Sequence, residues 1–125
     1  MDRIKTILIV DDNIYVAEAI RSLIKISHPI AVIVHADNGA KAWEIINTPG
    51  RKPDLVVSDV EMPHMGGVQL VEKIEREHSD IHVILMSGKG EPEGHRAHAF
   101  IPKPVERAKM IETIKKVLQR QVRKH

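Results

Sequence analysis

Strand-length runs of aliphatic residues, almost unbroken and each closed by an acid or a hydroxyl, constrain this chain more than any other feature. Thr6-Ile7-Leu8-Ile9-Val10 leads into Asp11-Asp12-Asn13, and Leu55-Val56-Val57-Ser58 leads into Asp59. Ile81-His82-Val83-Ile84-Leu85-Met86 leads into Ser87-Gly88. A strand with one wet face alternates apolar and polar residues. A run that does not alternate fits a strand buried on both faces, which is the habit of parallel sheets. The stretch Leu55–Pro63 is the most informative of these. It sets a carboxylate, Asp59, at the mouth of a buried strand, where burial of a charge is costly without compensation. Asp59 is therefore read as the working residue.

The segments between the runs have helical spacing. Asn13 can cap a helix carried by Val16, Ala17, Ile20, Leu23 and Ile24. Pro29 precedes a further strand, Ile30–Val34. Asp37-Asn38-Gly39 is a turn and cap signal ahead of a second helix through Ala40, Ala42, Trp43, Ile45 and Ile46, which Pro49-Gly50 ends. Met65-Gly66-Gly67 opens a third helix with Leu70, Val71 and Ile74 inward. Ala99-Phe100-Ile101 is a short fifth strand. A last helix carries Val105, Ala108, Ile111, Ile114, Val117 and Leu118, with Pro104 in its first turn. Strands alternating with helices predict an α/β fold, a doubly wound parallel sheet with right-handed crossovers. The 125 residues make one domain, 1–125, with the basic tail 120–125 expected to fray.

The interval between Ser87 and Lys103 breaks the pattern. Its 15 residues must supply a strand exit, a crossover and the fifth strand. Gly88, Gly90, Pro92 and Gly94 all resist helix, so at most one or two turns are expected around His95–His98.

Composition narrows the chemistry. The absence of cysteine removes disulfides, thiolate metal sites and thiol catalysis. Tyr15, Trp43 and Phe100 are the only aromatics, so the core is aliphatic. A net charge of +2 does not argue for nucleic acid. No apolar run approaches the ~20 residues of a membrane helix, and Met1-Asp2-Arg3 does not begin a signal peptide, so a cytoplasmic location without membrane contact is expected.

In an open parallel sheet, ligands collect at the carboxyl ends of the strands. Asp11, Asp12, Asp59 and Ser87 stand there, and Lys103 lies just past the fifth strand. Crowded carboxylates repel one another, and a hard cation relieves them. A small number of oxygen ligands suits Mg²⁺, with a backbone carbonyl near Glu61 as a further ligand. Mg²⁺, a carboxylate nucleophile, a hydroxyl and an ammonium together are what phosphoryl transfer to Asp requires.

Four segments in this order resemble the receiver domain of two-component response regulators, over nearly the whole chain. They are Ile9-Val10-Asp11-Asp12-Asn13, Ser58 through Gly67, Leu85-Met86-Ser87-Gly88 and Ile101-Pro102-Lys103-Pro104. The resemblance implies a flavodoxin-like sheet of five strands in the order 2-1-3-4-5. It implies phosphorylation of Asp59 by a histidine kinase or phosphotransfer protein, Mg²⁺ on Asp11, Asp12, Asp59 and the Glu61 carbonyl, and Ser87 and Lys103 on the phosphoryl group. A cis Lys103–Pro104 bond and a switch formed by Ser87 and Phe100 are also implied. Three departures stand out: the fourth helix is shortened or missing, Phe100 lacks the hydroxyl of the commoner tyrosine, and Gly66 stands where an acid is common.

The expected function is thus a phosphoacceptor signalling module that assists its own phosphorylation and hydrolysis, not an enzyme, with a protein effector downstream. A receiver-like module indifferent to phosphate is the alternative, and the intact acid, hydroxyl and lysine set argues against it. A phosphatase resembling the haloacid dehalogenases would want its nucleophile on the first strand. No helix-turn-helix region is left over for direct DNA contact. His95 and His98 read as solvated side chains rather than metal ligands.

Overall fold

The computed structural model describes residues 3–119. The described chain runs β1 (Thr6–Val10), α1 (Ile14–Ser27), β2 (Val32–Ala36), α2 (Gly39–Ile46), β3 (Leu55–Asp59), α3 (Gly67–Glu77), β4 (His82–Ser87), β5 (Ala99–Pro102) and α4 (Arg107–Gln119). The strands form one parallel sheet in the order β2-β1-β3-β4-β5. The expected tail at 120–125 lies outside the described residues.

Alternate residues of the buried strands feed two cores. Ile7, Ile9, Leu55, Val57, Ile84 and Met86 pack against Ile20 and Ile24 of α1 and Met110, Ile114 and Val117 of α4. Leu8, Val10, Val56, Val83 and Leu85 face Ala42 and Ile46 of α2 and Leu70, Val71 and Ile74 of α3. Each buried Val, Leu, Ile or Met side chain contributes about 1.5–3 kcal/mol relative to exposure, which is why β1, β3 and β4 have no wet face. The caps follow the sequence. Asn13 Oδ1 accepts from Tyr15 N (2.9 Å) and Val16 N (3.2 Å), and Asn38 Oδ1 accepts from Lys41 N (2.8 Å).

Two boundaries differ from the sequence reading. β2 runs Val32–Ala36, not Ile30–Val34, because Pro29 and Ile30 belong to a turn closed by Ala31 N donating to His28 O (3.1 Å). Ile30 is 74 % exposed there. The last helix begins at Arg107, so Pro104 is outside its first turn. Lys103 N still donates to Ser87 O (2.9 Å), which keeps Lys103 extended beside β4. A residue before proline also disfavours the helical region. The Lys103–Pro104 bond is cis, as the resemblance implied.

Among the described residues no helix joins β4 to β5, which is within the limit of one or two turns expected around His95–His98. Gly90 and Gly94 adopt φ of +95° and +69°, conformations that interrupt a right-handed helix. The loop is tied down by other means. His98 N donates to Val83 O (2.8 Å), and His98 Nδ1 accepts from Val83 N (3.0 Å), so one residue continues the ladder with both its backbone and its ring. Arg96 binds Glu75 of α3 bidentately at 2.7 and 2.8 Å. Hydrogen exchange checks this description: the Gly90–Gly94 amides should exchange near the unprotected rate, while Val83 and His98 are slow. Uniform protection across 88–98 would contradict it.

Candidate functional site

The sheet delivers four functional side chains to one end. Asp11 follows β1, its N–H donating to Ala36 O at 3.1 Å. Asp59 is the last residue of β3, Ser87 the last of β4, and Lys103 follows β5. Just past β3, Val60 N donates to Met86 O and Gly67 N to Val60 O, at 2.9 and 3.0 Å, which draws the start of α3 against the strand end. Gly67 permits that approach, since a Cβ there would stand 2.3 Å from Asp59 O.

Lys103 links three of the strands. Its Nζ donates to Asp11 Oδ2 (3.0 Å) and lies 3.2 Å from Asp59 Oδ1. Asp11 is fully buried and Asp59 only 6 % exposed. Asp11 Oδ1 accepts from Asn13 N (2.9 Å), and the Asp11 carbonyl lies 2.8 Å from His35 Nε2, so the residue is gripped at both ends. Asp59 is less well served. Its buried Oδ1 meets the Lys103 ammonium at 3.2 Å but makes no well-directed hydrogen bond among the described residues. Burial raises the Asp59 pKa; the Lys103 ammonium opposes this, and the charges of Asp11 and Glu61 add to it. Burial also works against the charge on Lys103, but the Asp11 hydrogen bond and the two carboxylates outweigh it, and its pKa is raised.

Asp11, exposed Asp12 and Asp59 each offer a carboxylate oxygen within 4.8 Å of the others, a cluster that could hold a metal ion. The donor set fits a hard divalent cation. It is all oxygen, it carries more negative charge than Lys103 neutralises, and it contains the orphaned Asp59 Oδ1.

The remaining residues singled out from the sequence are also at hand, with one surprise. Ser87, 1 % exposed, donates to the side-chain oxygens of Glu61, both at 3.0 Å. Glu61 had drawn notice only for its backbone carbonyl. Its side-chain direction depends on the path of the β3–α3 loop, which turns at His64 (φ 70°) and carries no local sequence signal for it. His35 was likewise missed, since its contact with Asp11 arises from the β1–β2 register. Phe100 is partly buried against the α2/α3 core, its ring 6.3 Å from that of His95.

A buried acid at a strand end, beside two more acids and a lysine in a doubly wound sheet, is an arrangement that could hold a divalent cation together with an anionic group. The family profile described as "Response regulator receiver domain" matches residues 7–115. The chain is 31% identical to the chemotaxis protein CheY of Bacillus subtilis over 118 residues, covering 90% of this chain and 96% of that protein. It is 36% identical to the sensor kinase CckA of Brucella abortus over 92 residues, covering 69% of this chain and only 10% of that much longer protein. A solved CheY-like receiver domain protein from Methanospirillum hungatei superimposes with a TM-score of 0.82 at 24% identity, over 93% of this chain and 94% of that one, a likeness of fold. The chain belongs to the response regulator receiver domain family.

The unsatisfied Asp59 predicts a trade of stability for function. In metal-free buffer at neutral pH, Asp59→Asn should raise the unfolding free energy by about 0.5–2 kcal/mol, measured by urea denaturation. A raised folded-state pKa disfavours the carboxylate in the folded protein. The gap should therefore close as pH falls through that pKa and Asp59 protonates. A less stable variant at neutral pH would contradict this account of the site.

Proposed function

We propose that Asp59 accepts a phosphoryl group from the phosphohistidine of a sensor histidine kinase or phosphotransfer protein, and that this changes the surface the domain offers to a protein effector. The observation that carries the reading is the buried Asp59 Oδ1, which has the Lys103 ammonium beside it but no well-directed hydrogen bond among the described residues. An Asp59 oxygen attacks phosphorus as the phosphorus–nitrogen bond breaks, and the leaving imidazole takes up a proton. Lys103, already 3.2 Å from Asp59, offsets charge on the incoming oxygens. Mg²⁺, held by Asp11, Asp12, Asp59 and the Glu61 carbonyl, would neutralise further phosphoryl charge when bound. The Ser87 hydroxyl donates to a phosphoryl oxygen. Its movement, with Phe100 following, is the proposed switch that biases a pre-existing two-state equilibrium. The chain assists its own phosphorylation and hydrolysis in this way, and we read residues 1–125 as one receiver unit.

Incubation with acetyl phosphate and Mg²⁺, followed by intact mass, tests the reading. One phosphoryl adduct should form on the wild-type chain and none on Asp59→Asn. Chelating Mg²⁺ should slow the reaction by about two orders of magnitude. A wild-type chain that gains no adduct and binds no Mg²⁺ would refute it.

A further inference from the structure

The Ser87 hydroxyl has one proton, and it is already committed. Oγ donates to Glu61 Oε1 and Oε2, both at 3.0 Å, and accepts from the Lys89 N–H at 2.9 Å. With a single proton, the hydroxyl can serve the Glu61 carboxylate or another acceptor, but not both at full strength. A carboxylate is a strong acceptor, since charge-assisted hydrogen bonds are about twice as strong as neutral ones. Ser87 is buried, whereas Glu61 is exposed and sits on the loop between β3 and α3. One partner is thus fixed and the other free to leave.

We infer that Glu61 is a positioning residue that acts through Ser87: in the unphosphorylated protein its carboxylate engages the hydroxyl that a phosphoryl group on Asp59 would need. The inference rests on the reading of Asp59 as phosphoacceptor. In the exchange the Ser87 proton stays on its oxygen, and Oγ–H turns from Glu61 to a phosphoryl oxygen. The displaced Glu61 carboxylate then faces a dianion and is driven toward solvent. No covalent bond changes in this step. Glu61 thereby stabilises the unphosphorylated state, and its release is coupled to occupancy of the site. The negative charge that Glu61 places near Asp59 acts in the same direction.

The two contributions, hydrogen bond and charge, separate in a double-mutant cycle. Rates of adduct formation with acetyl phosphate at saturating Mg²⁺ are compared for wild type, Glu61→Ala, Ser87→Ala and the double variant. Dissociation constants for beryllofluoride, a non-reacting stand-in for the phosphoryl group, are measured in parallel. Glu61→Ala should accelerate the reaction and tighten beryllofluoride by about five- to tenfold, the scale of one charge-assisted hydrogen bond offset by partial compensation. In the Ser87→Ala background the same change should be about twofold or less, the residue of through-space repulsion alone. Glu61→Gln, which retains an acceptor without the charge, should fall between wild type and Glu61→Ala. Equal effects in both backgrounds, or no gain from Glu61→Ala, would overturn the role through Ser87 while leaving Asp59 as phosphoacceptor. A wild-type chain that takes up neither phosphoryl group nor beryllofluoride would instead overturn the assignment of Asp59.

Discussion

The ammonium of Lys103 between Asp11 and Asp59 is the contact on which the rest of this structure depends. It joins residues 92 positions apart and brings the ends of β1, β3 and β5 to one point. Two nearly buried carboxylates could not stand this close without it, since removing one member of such a group leaves an uncompensated charge. The compensation is incomplete, because Asp59 Oδ1 still lacks a well-directed hydrogen bond among the described residues. That residual demand favours the proposed role as a cation and phosphoryl site over a closed structural ion pair.

Much of this was legible in the sequence because the information is local. The non-alternating runs of β1, β3 and β4 announce burial on both faces, and the residue ending each run is at the sheet's carboxyl edge by construction. Asn13 and Asn38 signal their helices in the same local way. The start of β2 was misplaced because Ile30 looks like a strand residue, while the turn set by Pro29 leaves it exposed. The contacts of Glu61 and His35 were out of reach for a different reason. They depend on loop path and strand register, which set where side chains from separate segments meet.

The β4–β5 connection shows how the sheet is completed without a helix. A helix satisfies its own backbone, so its loss must be met elsewhere. Here His98 supplies both a donor and a ring acceptor to Val83, and Arg96 pins the loop to α3 through Glu75. Phe100 then packs beside His95 rather than beneath a helix. On the opposite side Ser87 meets the exposed Glu61 of the β3–α3 loop. In the proposed exchange at Ser87, a change of state at Asp59 would travel outward through that loop.

The central claim is that the acyl phosphate forms on Asp59 and not on the neighbouring acids. Borohydride reduces an acyl phosphate to the alcohol, which converts a phosphorylated aspartate to homoserine. Peptide mass spectrometry of the phosphorylated, borohydride-treated chain should find homoserine at position 59, with Asp11 and Asp12 unchanged. Homoserine at position 11 or 12, or a phosphoryl group that survives on a histidine, would contradict the account.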